Sequence, residues 1–355
     1  MDATGRESAR TLREMKPDLI ESMLKASYRL APEIWEPFGE SGRAYARADF
    51  GHHLDFLSEA LCFDDPGLFT QYVEWVAALF SGLGFGSKGL DSTLGALREG
   101  LVTVLPPDVS RKAIAILDSA ASPQATVPKS FIDRDSPMGS SAALFLDRML
   151  AGNRVEATKL VLDLVQQGMD VRSIYMNIFQ PSQYELGRLW MTGSISVAQE
   201  HFCTAATQSI MARLYPLVFA TPRTKPGVIG ACIGDELHEL GIRMVCDFLE
   251  FDGWDTYYLG ANMPSRGIVA AVRERKARIL CLSVTMSSRV SETESTIAAV
   301  RAACDPSLKV LVGGYPFRHS PGLWEKVGAD GFASDAVGAV MMAGSLLQPI
   351  LDTPA

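Results

Sequence analysis

Over residues 226–355, short β-rich segments alternate with segments whose apolar residues recur at helical spacing. The predicted strands are Gly227–Ile233, Asp255–Leu259, Ile279–Val284, Val310–Gly313 and Gly331–Ala333. Helices are predicted between them, as at Ser265–Arg275 and Glu292–Ala303. This alternation predicts a doubly wound, Rossmann-like parallel sheet of the α/β class, and we expect the strand order 2-1-3-4-5.

The sequence before this region is predicted to be helical in two parts. Residues 8–120 have a helical period throughout and would form an N-terminal helical domain over 1–125. A four-helix bundle is predicted over 138–222, because short loops separate its helices. Its predicted helices are Ala142–Ala151, Arg154–Gln167, Val171–Leu189 and Val197–Val218. A turn-rich linker over residues 121–130 sets the domain boundary, and the sheet domain occupies 226–355.

Composition narrows the possible functions. The net charge of −8 argues against a general nucleic-acid binder, which needs clustered Lys and Arg. We find no apolar run of membrane-spanning length and no signal peptide, so we expect a cytoplasmic protein without membrane contact. The six cysteines are scattered without a CxxC pair, which is typical of reduced thiols.

Polar residues and glycines follow three of the predicted strands. The loop Ile233-Gly-Asp-Glu-Leu-His-Glu-Leu-Gly241 comes after the first, Ser283 and Thr285 end the third, and Gly313-Gly314 ends the fourth. These loops open on one edge of a parallel sheet, where α/β proteins bind ligands. A histidine near a carboxylate is suited to ligating a metal while the carboxylate holds its other ring nitrogen. Paired glycines allow a bulky ligand to approach the backbone closely.

The set Glu236-x-His238-x-x-Gly241, then Ser283-x-Thr285, then Gly313-Gly314 resembles the cobalamin-binding domain of methionine synthase and its relatives. The usual motif begins with Asp, where this chain has Glu236. The resemblance implies base-off, His-on binding with His238 as the lower axial ligand of cobalt. It further implies that Glu236, backed by Ser283, forms the hydrogen-bond relay, and that the displaced dimethylbenzimidazole tail lies between Ser283, Thr285 and the glycine pair.

A second motif lies in the predicted bundle, where Trp190 is followed after nine residues by Glu200-His201. It resembles the Trp-x9-Glu-His signature of cobalamin-dependent photoreceptors, the light-sensing MerR-type repressors. The resemblance implies adenosylcobalamin, with Trp190 packed on the adenosyl group and Glu200 and His201 in contact with it. Those repressors have a cobalt-capturing histidine directly after the tryptophan, and this chain has Met191 there.

The N-terminal region carries no basic recognition helix, so we expect no direct contact with nucleic acid. A globin-like helical domain joined to such a cobalamin unit resembles the photocobilins, which hold cobalamin and biliverdin. The groups considered for biliverdin are Arg43, Arg47, His52 and His53, of which Arg47 and His53 are taken as cofactor-binding.

The leading hypothesis is a non-enzymatic light sensor that holds adenosylcobalamin, with biliverdin as a second chromophore. Photolysis of its cobalt–carbon bond would change the contacts of a homo-oligomer or of a downstream effector protein. One alternative is a corrinoid protein that carries methyl groups for a methyltransferase. Another is an interaction protein with a vestigial Rossmann-like domain, in which His238 has no ligand.

Overall fold

The computed structural model describes residues 3–120 and 129–347. The predicted linker over 121–130 lies outside the described residues apart from its last two positions. In the described ranges, no helix combines the length and the apolar character required to cross a bilayer.

The N-terminal region is helical, as its apolar period predicts. Its helices are α1 (Ala3–Glu14), α2 (Lys16–Leu30), α3 (Pro32–Trp35), α4 (Gly39–Phe63), α5 (Pro66–Gly82), α6 (Gly86–Val104) and α7 (Pro107–Ser119). Helix α5 begins at Pro66, where a missing backbone N–H is tolerated because the first helical turn leaves that group unbonded. The long helix α4 buries nearly every residue of its second half, from Phe50 to Phe63. It is therefore the central helix of this region.

The second helical region contains α8 (Gly139–Leu150), α9 (Arg154–Gln166), α10 (Val171–Ile174), α11 (Gln180–Met191) and α12 (Val197–Val218). Helix α12 starts with a capping box, as the sequence Ser196-Val-Ala-Gln199 predicts, and Ser196 and Gln199 each bond the other's backbone N–H. The helix predicted over Val171–Leu189 is interrupted by a π-helical turn at Tyr175–Phe179. The cause is Pro181, which has no N–H for the carbonyl four residues earlier and whose ring crowds that carbonyl.

The C-terminal region is a parallel sheet flanked by helices, and its strand order 2-1-3-4-5 confirms the sequence prediction. The strands are β1 (Lys225–Ile233), β2 (Trp254–Met263), β3 (Ile279–Ser283), β4 (Lys309–Gly313) and β5 (Gly331–Ala333). The helices are α13 (Leu240–Phe251), α14 (Ser265–Arg275), α15 (Val290–Ala303), α16 (Tyr315–His319), α17 (Leu323–Lys326) and α18 (Ala336–Leu347). The central strands are buried from Val228 to Ile233 in β1 and from Ile279 to Leu282 in β3, as expected for a sheet covered on both faces.

Two compact units make up the fold. The first contains the described residues of 1–76, 87–124 and 223–355, and the second contains those of 77–86 and 125–222. The N-terminal helices and the sheet domain, which the sequence suggested as separate domains, thus share one unit. The division of the chain into three domains, over 1–125, 138–222 and 226–355, stays a prediction.

A buried carboxylate joins the N-terminal helices to the sheet domain within the first unit. Glu59 of α4 accepts hydrogen bonds from the backbone N–H and the hydroxyl of Ser291, at 2.8 and 2.7 Å, in the first turn of α15. Arg13 of α1 donates to the other oxygen at 2.8 Å. Burial raises the pKa of Glu59 to about 7, although the bonds from Ser291 and the charge of Arg13 oppose the rise. A bidentate ion pair between Arg6 and Glu294 strengthens the same junction.

Candidate functional site

The carboxyl edge of the sheet brings two of the predicted site positions side by side. Cys232 of β1 pairs with Ser283 of β3, and Ser283 pairs with Gly313 of β4. Strands β1, β3 and β4 are apolar, run parallel and end at the same level, and this produces the register. The loops after β1, β3 and β4 therefore leave the sheet at the same level, as the sequence predicts.

The second glycine of the pair after β4 is required by the backbone. Gly314 has a φ of +111°, and a Cβ added there would lie 1.9 Å from the carbonyl oxygen of Val284. The backbone N–H of Val284 in turn donates to the carbonyl of Gly313 at 3.0 Å. Close backbone packing thus holds the loops after β3 and β4 together, and only glycine fits at 314.

The histidine and the acidic residue of the loop after β1 are in direct contact. Nδ1 of His238 lies 2.5 Å from Oε1 of Glu236, and the backbone N–H of His238 donates to the same oxygen at 3.1 Å. The imidazole is 60% exposed, whereas the carboxylate is 1% exposed. A buried carboxylate therefore orients a histidine that projects from the sheet edge.

The second oxygen of Glu236 is held by backbone, which differs from the expected support by Ser283. Oε2 accepts from the N–H groups of Thr285 and Met286, at 2.7 and 2.9 Å. Burial alone would raise the pKa of Glu236, but the bond and charge of His238 and the N–H of Met286 lower it to about 2. The longer side chain of Glu, compared with Asp, reaches both the imidazole and the loop after β3.

This arrangement fixes the chemistry of the imidazole. A carboxylate can only accept hydrogen bonds, so Nδ1 carries the proton and the lone pair lies on Nε2. That tautomer is the one in which Nε2 ligates a metal. Gly241, in the first turn of α13, leaves open space, since an added Cβ would meet none of the described residues within 4 Å. The donor set and the open space fit a cobalt macrocycle held from one side by His238.

Sequence reasoning missed a second carboxylate in this loop. Oε2 of Glu239 accepts from the hydroxyl of Tyr258 at 2.8 Å and from the N–H of Ala261 at 3.0 Å. On the other side of the loop, Arg289 donates to Asp235 at 3.1 Å. These contacts anchor the histidine loop to β2 and to the segment after β3. Such long-range pairs leave no local pattern in the sequence.

The bundle positions lie at the end of α11 and the start of α12. Trp190 is partly exposed in the last turn of α11, and Met191 beside it is buried. Nδ1 of His201 lies 2.7 Å from Oε2 of Glu200, and the imidazole is 75% exposed. The structure thus joins Glu200 and His201 as a pair, while the buried Met191 side chain faces the protein interior.

The two positions chosen for biliverdin lie in different environments on α4. Arg47 is half exposed and pairs with Glu21 at 2.7 Å. His53 is buried, its Nδ1 lies 2.7 Å from the hydroxyl of Tyr72, and burial lowers the pKa of His53 to about 4. Six helical positions separate Arg47 and His53, so they point to different faces of α4. Their role as a bilin site stays a prediction.

Two regions of the chain match models described as the B12 binding domain, over residues 226–341 and 142–215. Together the two regions cover more than half of the chain. The chain belongs to the cobalamin-binding protein family. The first match covers the sheet region with its histidine loop, and the second covers most of the helical bundle with Trp190, Glu200 and His201.

Curated relatives of this cobalamin-binding protein fall into two groups. The HTH-type transcriptional repressor CarH of Myxococcus xanthus is 29% identical over 177 residues, which is 49% of this chain and 58% of that protein. The dimethylamine corrinoid protein of Methanosarcina barkeri is 27% identical over 169 residues, which is 46% of this chain and 75% of that protein. The chain thus spans less than two thirds of the length of the repressor.

A solved structure supports the fold of this cobalamin-binding protein. The monomethylamine corrinoid protein of Methanosarcina barkeri matches with a TM-score of 0.51 and 19% sequence identity. The match covers 57% of this chain and 97% of that protein. The match therefore shows a shared fold over a little more than half of this chain.

Proposed function

We propose that this cobalamin-binding protein is a light sensor that holds adenosylcobalamin base-off, with His238 as the lower axial ligand. The contact between His238 and the buried Glu236, which leaves Nε2 as the metal-binding nitrogen, is the observation that supports cobalamin binding. The light-sensing role rests on Trp190 and the pair Glu200–His201 at the end of α11 and the start of α12. Adenosylcobalamin bound there would supply a cobalt–carbon bond that visible light breaks.

The chain's own residues would have three tasks in this proposal. Glu236 holds the imidazole in one tautomer, and Ser283, Thr285 and Gly313-Gly314 receive the displaced tail of the cofactor. Trp190, Glu200 and His201 contact the upper ligand. When that ligand leaves, the contacts made by the bundle residues change, and a changed contact is what shifts a conformational equilibrium. The readout would be the oligomeric state of the chain or its contact with an effector protein.

The direct test is to load the protein with adenosylcobalamin in the dark and compare absorption spectra and size-exclusion profiles before and after illumination. We expect a spectral change and a shift in elution volume. His238→Ala is the matched control, because it should lose the His-on spectrum while the fold remains. Identical spectra and elution in dark and light would rule out the sensor.

Biliverdin is proposed as a second chromophore of the N-terminal helices. A small cavity beside His53 and Tyr72 is otherwise lined mainly by leucine and valine side chains. The cavity is much smaller than a tetrapyrrole, so binding would require α4, α5 and α6 to move apart. Adding biliverdin to the purified protein tests this, and His53→Ala should weaken any red absorption band that forms.

Nucleic acid is not part of the proposal. The prediction of no direct DNA contact rests on the net charge of −8 and on the lack of a basic recognition helix in the N-terminal sequence, and the match to a transcriptional repressor is the observation that opposes it. An electrophoretic mobility assay in dark and light, at low salt, would detect such binding.

The second candidate function is that of a corrinoid methyl carrier. It is favoured by the match to the dimethylamine corrinoid protein, which extends over 75% of that protein's length. Tighter binding of methylcobalamin than of adenosylcobalamin, together with methyl transfer to an added corrinoid methyltransferase, would support this role over the sensor.

A further inference from the structure

The segment that follows β3 links the histidine loop to the N-terminal helices. At its beginning, the backbone N–H groups of Thr285 and Met286 bond the buried carboxylate that orients the candidate lower ligand. At its end, Ser291 bonds the buried carboxylate of Glu59 on α4. We call residues 285–291 the β3–α15 segment. Each of its ends is thus hydrogen-bonded to a carboxylate from a different part of the chain.

Internal contacts make the β3–α15 segment stiff. The N–H of Arg289 donates to the carbonyl of Met286 at 2.9 Å, which closes a short helical turn. The guanidinium of Arg289 donates to Asp235 of the histidine loop at 3.1 Å. Two side chains of the segment, those of Ser287 and Val290, are buried. We therefore expect a displacement at one end of the segment to move the other end.

Glu59 takes the place of an N-cap for α15. The first backbone N–H groups of a helix have no partner within it, and a side-chain acceptor commonly bonds one of them. Arg289, at the N-cap position of α15, makes no such bond in the described structure. Instead, Oε2 of Glu59 accepts from the N–H and the hydroxyl of Ser291, at 2.8 and 2.7 Å. A carboxylate of α4 thus fixes the start of α15.

The Glu59 side chain is itself held by the N-terminal helices. It is 4% exposed, and Arg13 of α1 donates to its Oε1 at 2.8 Å. Nearly every residue of α4 from Phe50 to Phe63 is buried around it. The place of Glu59, and with it that of the β3–α15 segment, therefore depends on the packing of the N-terminal helices.

We propose that Glu59 is a positioning residue for the lower axial ligand of cobalt. By fixing Ser291, it holds the β3–α15 segment against Glu236. Glu236 in turn keeps the imidazole of His238 in the orientation that ligates a metal. The N-terminal helices thereby control how tightly the sheet domain binds a corrinoid. This inference rests on the proposed function, because it assumes that His238 is the lower ligand.

The first experiment removes the acceptor on α4. Glu59→Leu has a similar volume and no acceptor oxygen, and it is titrated with hydroxocobalamin beside the wild type. We expect the dissociation constant to rise about 3- to 10-fold, the range of one hydrogen bond. Chemical denaturation of the same samples without cofactor shows whether the variant is folded.

The matched control breaks a different bond between the N-terminal helices and the sheet domain. Nζ of Lys326 in α17 donates to the carbonyl of Phe63, the last residue of α4, at 2.8 Å. Lys326→Met removes this bond without altering the β3–α15 segment, so the dissociation constant should change less than about 2-fold. An equal loss of affinity in Lys326→Met and Glu59→Leu would refute the inference, because docking of the helices in general would then control binding.

The second experiment tests whether Glu59 acts through Ser291 and His238. Ser291→Ala removes a hydroxyl that bonds Glu59 and should weaken hydroxocobalamin binding about 2- to 3-fold. Ser291→Thr retains a hydroxyl and should bind like the wild type. In a His238→Ala background, Glu59→Leu should weaken binding no further, because there is no imidazole to position. The same loss with and without His238 would mean that Glu59 has only a structural role, and the inference would be wrong.

The outcomes separate this inference from the proposed function. If the wild type does not bind hydroxocobalamin, or if His238→Ala binds it equally tightly, the proposed function fails and the inference fails with it. If His238→Ala weakens binding but Glu59→Leu and Ser291→Ala do not, His238 stands as the lower ligand and the inference alone is wrong. If Glu59→Leu does not fold, the pair Ser291→Ala and Ser291→Thr decides.

Discussion

Replacing Glu236 by Gln should both destabilise the protein and move a proton on His238. The carboxylate accepts four hydrogen bonds, two from His238 and one each from the N–H groups of Thr285 and Met286. An amide keeps one acceptor oxygen. If that oxygen accepts from the backbone N–H groups of Thr285 and Met286, the amide NH2 of the substituted side chain faces His238. The NH2 donor then points at the Nδ1–H donor of the imidazole, and neither has an acceptor.

The size of each effect follows from these contacts. A buried donor left without an acceptor costs about 1–3 kcal/mol, so Glu236→Gln should lower the free energy of unfolding by about 3 kcal/mol. The imidazole can relieve the conflict by accepting the amide N–H at Nδ1, which moves its proton to Nε2. A protonated Nε2 cannot ligate cobalt, and loss of such an orienting partner typically weakens metal binding by about 10- to 100-fold.

The assay is an equilibrium titration of the purified variant with hydroxocobalamin, followed by absorbance, beside chemical denaturation without cofactor. Glu236→Asp keeps the carboxylate and the tautomer but is one methylene shorter, so its affinity should lie between those of the wild type and the amide variant. Asp255→Asn alters a carboxylate that is 59% exposed at the start of β2, at the opposite end of the strand from the histidine loop, and should leave cobalamin affinity unchanged.

A double-mutant cycle shows whether the reasoning is right. In a His238→Ala background there is no imidazole to orient, so Glu236→Gln should weaken cobalamin binding no further. An equal loss of affinity with and without His238 would refute the tautomer argument and would mean that Glu236 acts only through the fold.

Three further predictions follow from the described contacts. Gly314→Ala should lower the free energy of unfolding by at least about 2 kcal/mol, measured by denaturation, because its φ of +111° is strained for any side chain and the Cβ would collide with Val284. Gly82→Ala should cost about 1–3 kcal/mol and alter the fluorescence of Trp190, because the added Cβ would lie 2.5 Å from the carbonyl oxygen of Met191. Glu59→Gln should remove a pH dependence of the free energy of unfolding. The pKa of Glu59 is about 7 in the folded protein, above its ordinary value of 4.5, so its protonated form stabilises the fold. This contribution of about 3 kcal/mol is fully present below pH 4.5 and is lost as the pH rises through 7. Denaturation at pH 5 and pH 8 should show this loss in the wild type only, and a Glu59→Gln variant with the wild-type slope would contradict it.

Local patterns made much of the fold predictable. The β-rich segments of the sheet region sit between helices with a clear 3.6-residue period, so their order and parallel pairing follow from general rules. The capping box at Ser196 and the helix start at Pro66 are local chemistry as well, and the structure has both. The π-helical turn was not predicted, because Pro181 indicates that a helix is disturbed but does not indicate whether the helix ends, kinks or widens into a π-helical turn.

The parts that the sequence did not reveal depend on contacts between distant residues. Glu236 is held by the backbone of Thr285 and Met286, and any residue type supplies a backbone N–H. The bond between Glu59 and Ser291 joins positions 232 residues apart, and neither residue has a neighbouring pattern that indicates a partner. His53 could be placed on α4 from the sequence, but its burial against Tyr72 could not.

The two groups of relatives show where the function must be decided. Repressors and corrinoid proteins both match this chain, and the histidine loop of the sheet suits cobalt in either role. In the proposed function His238 and Glu236 hold the lower side of a corrin, and this arrangement is the same for a light sensor and for a methyl carrier. That distinction depends on the upper ligand. In the proposed function the residues that contact the upper ligand are Trp190, Glu200 and His201, so variants of the bundle should discriminate between the two functions and variants of the sheet should not.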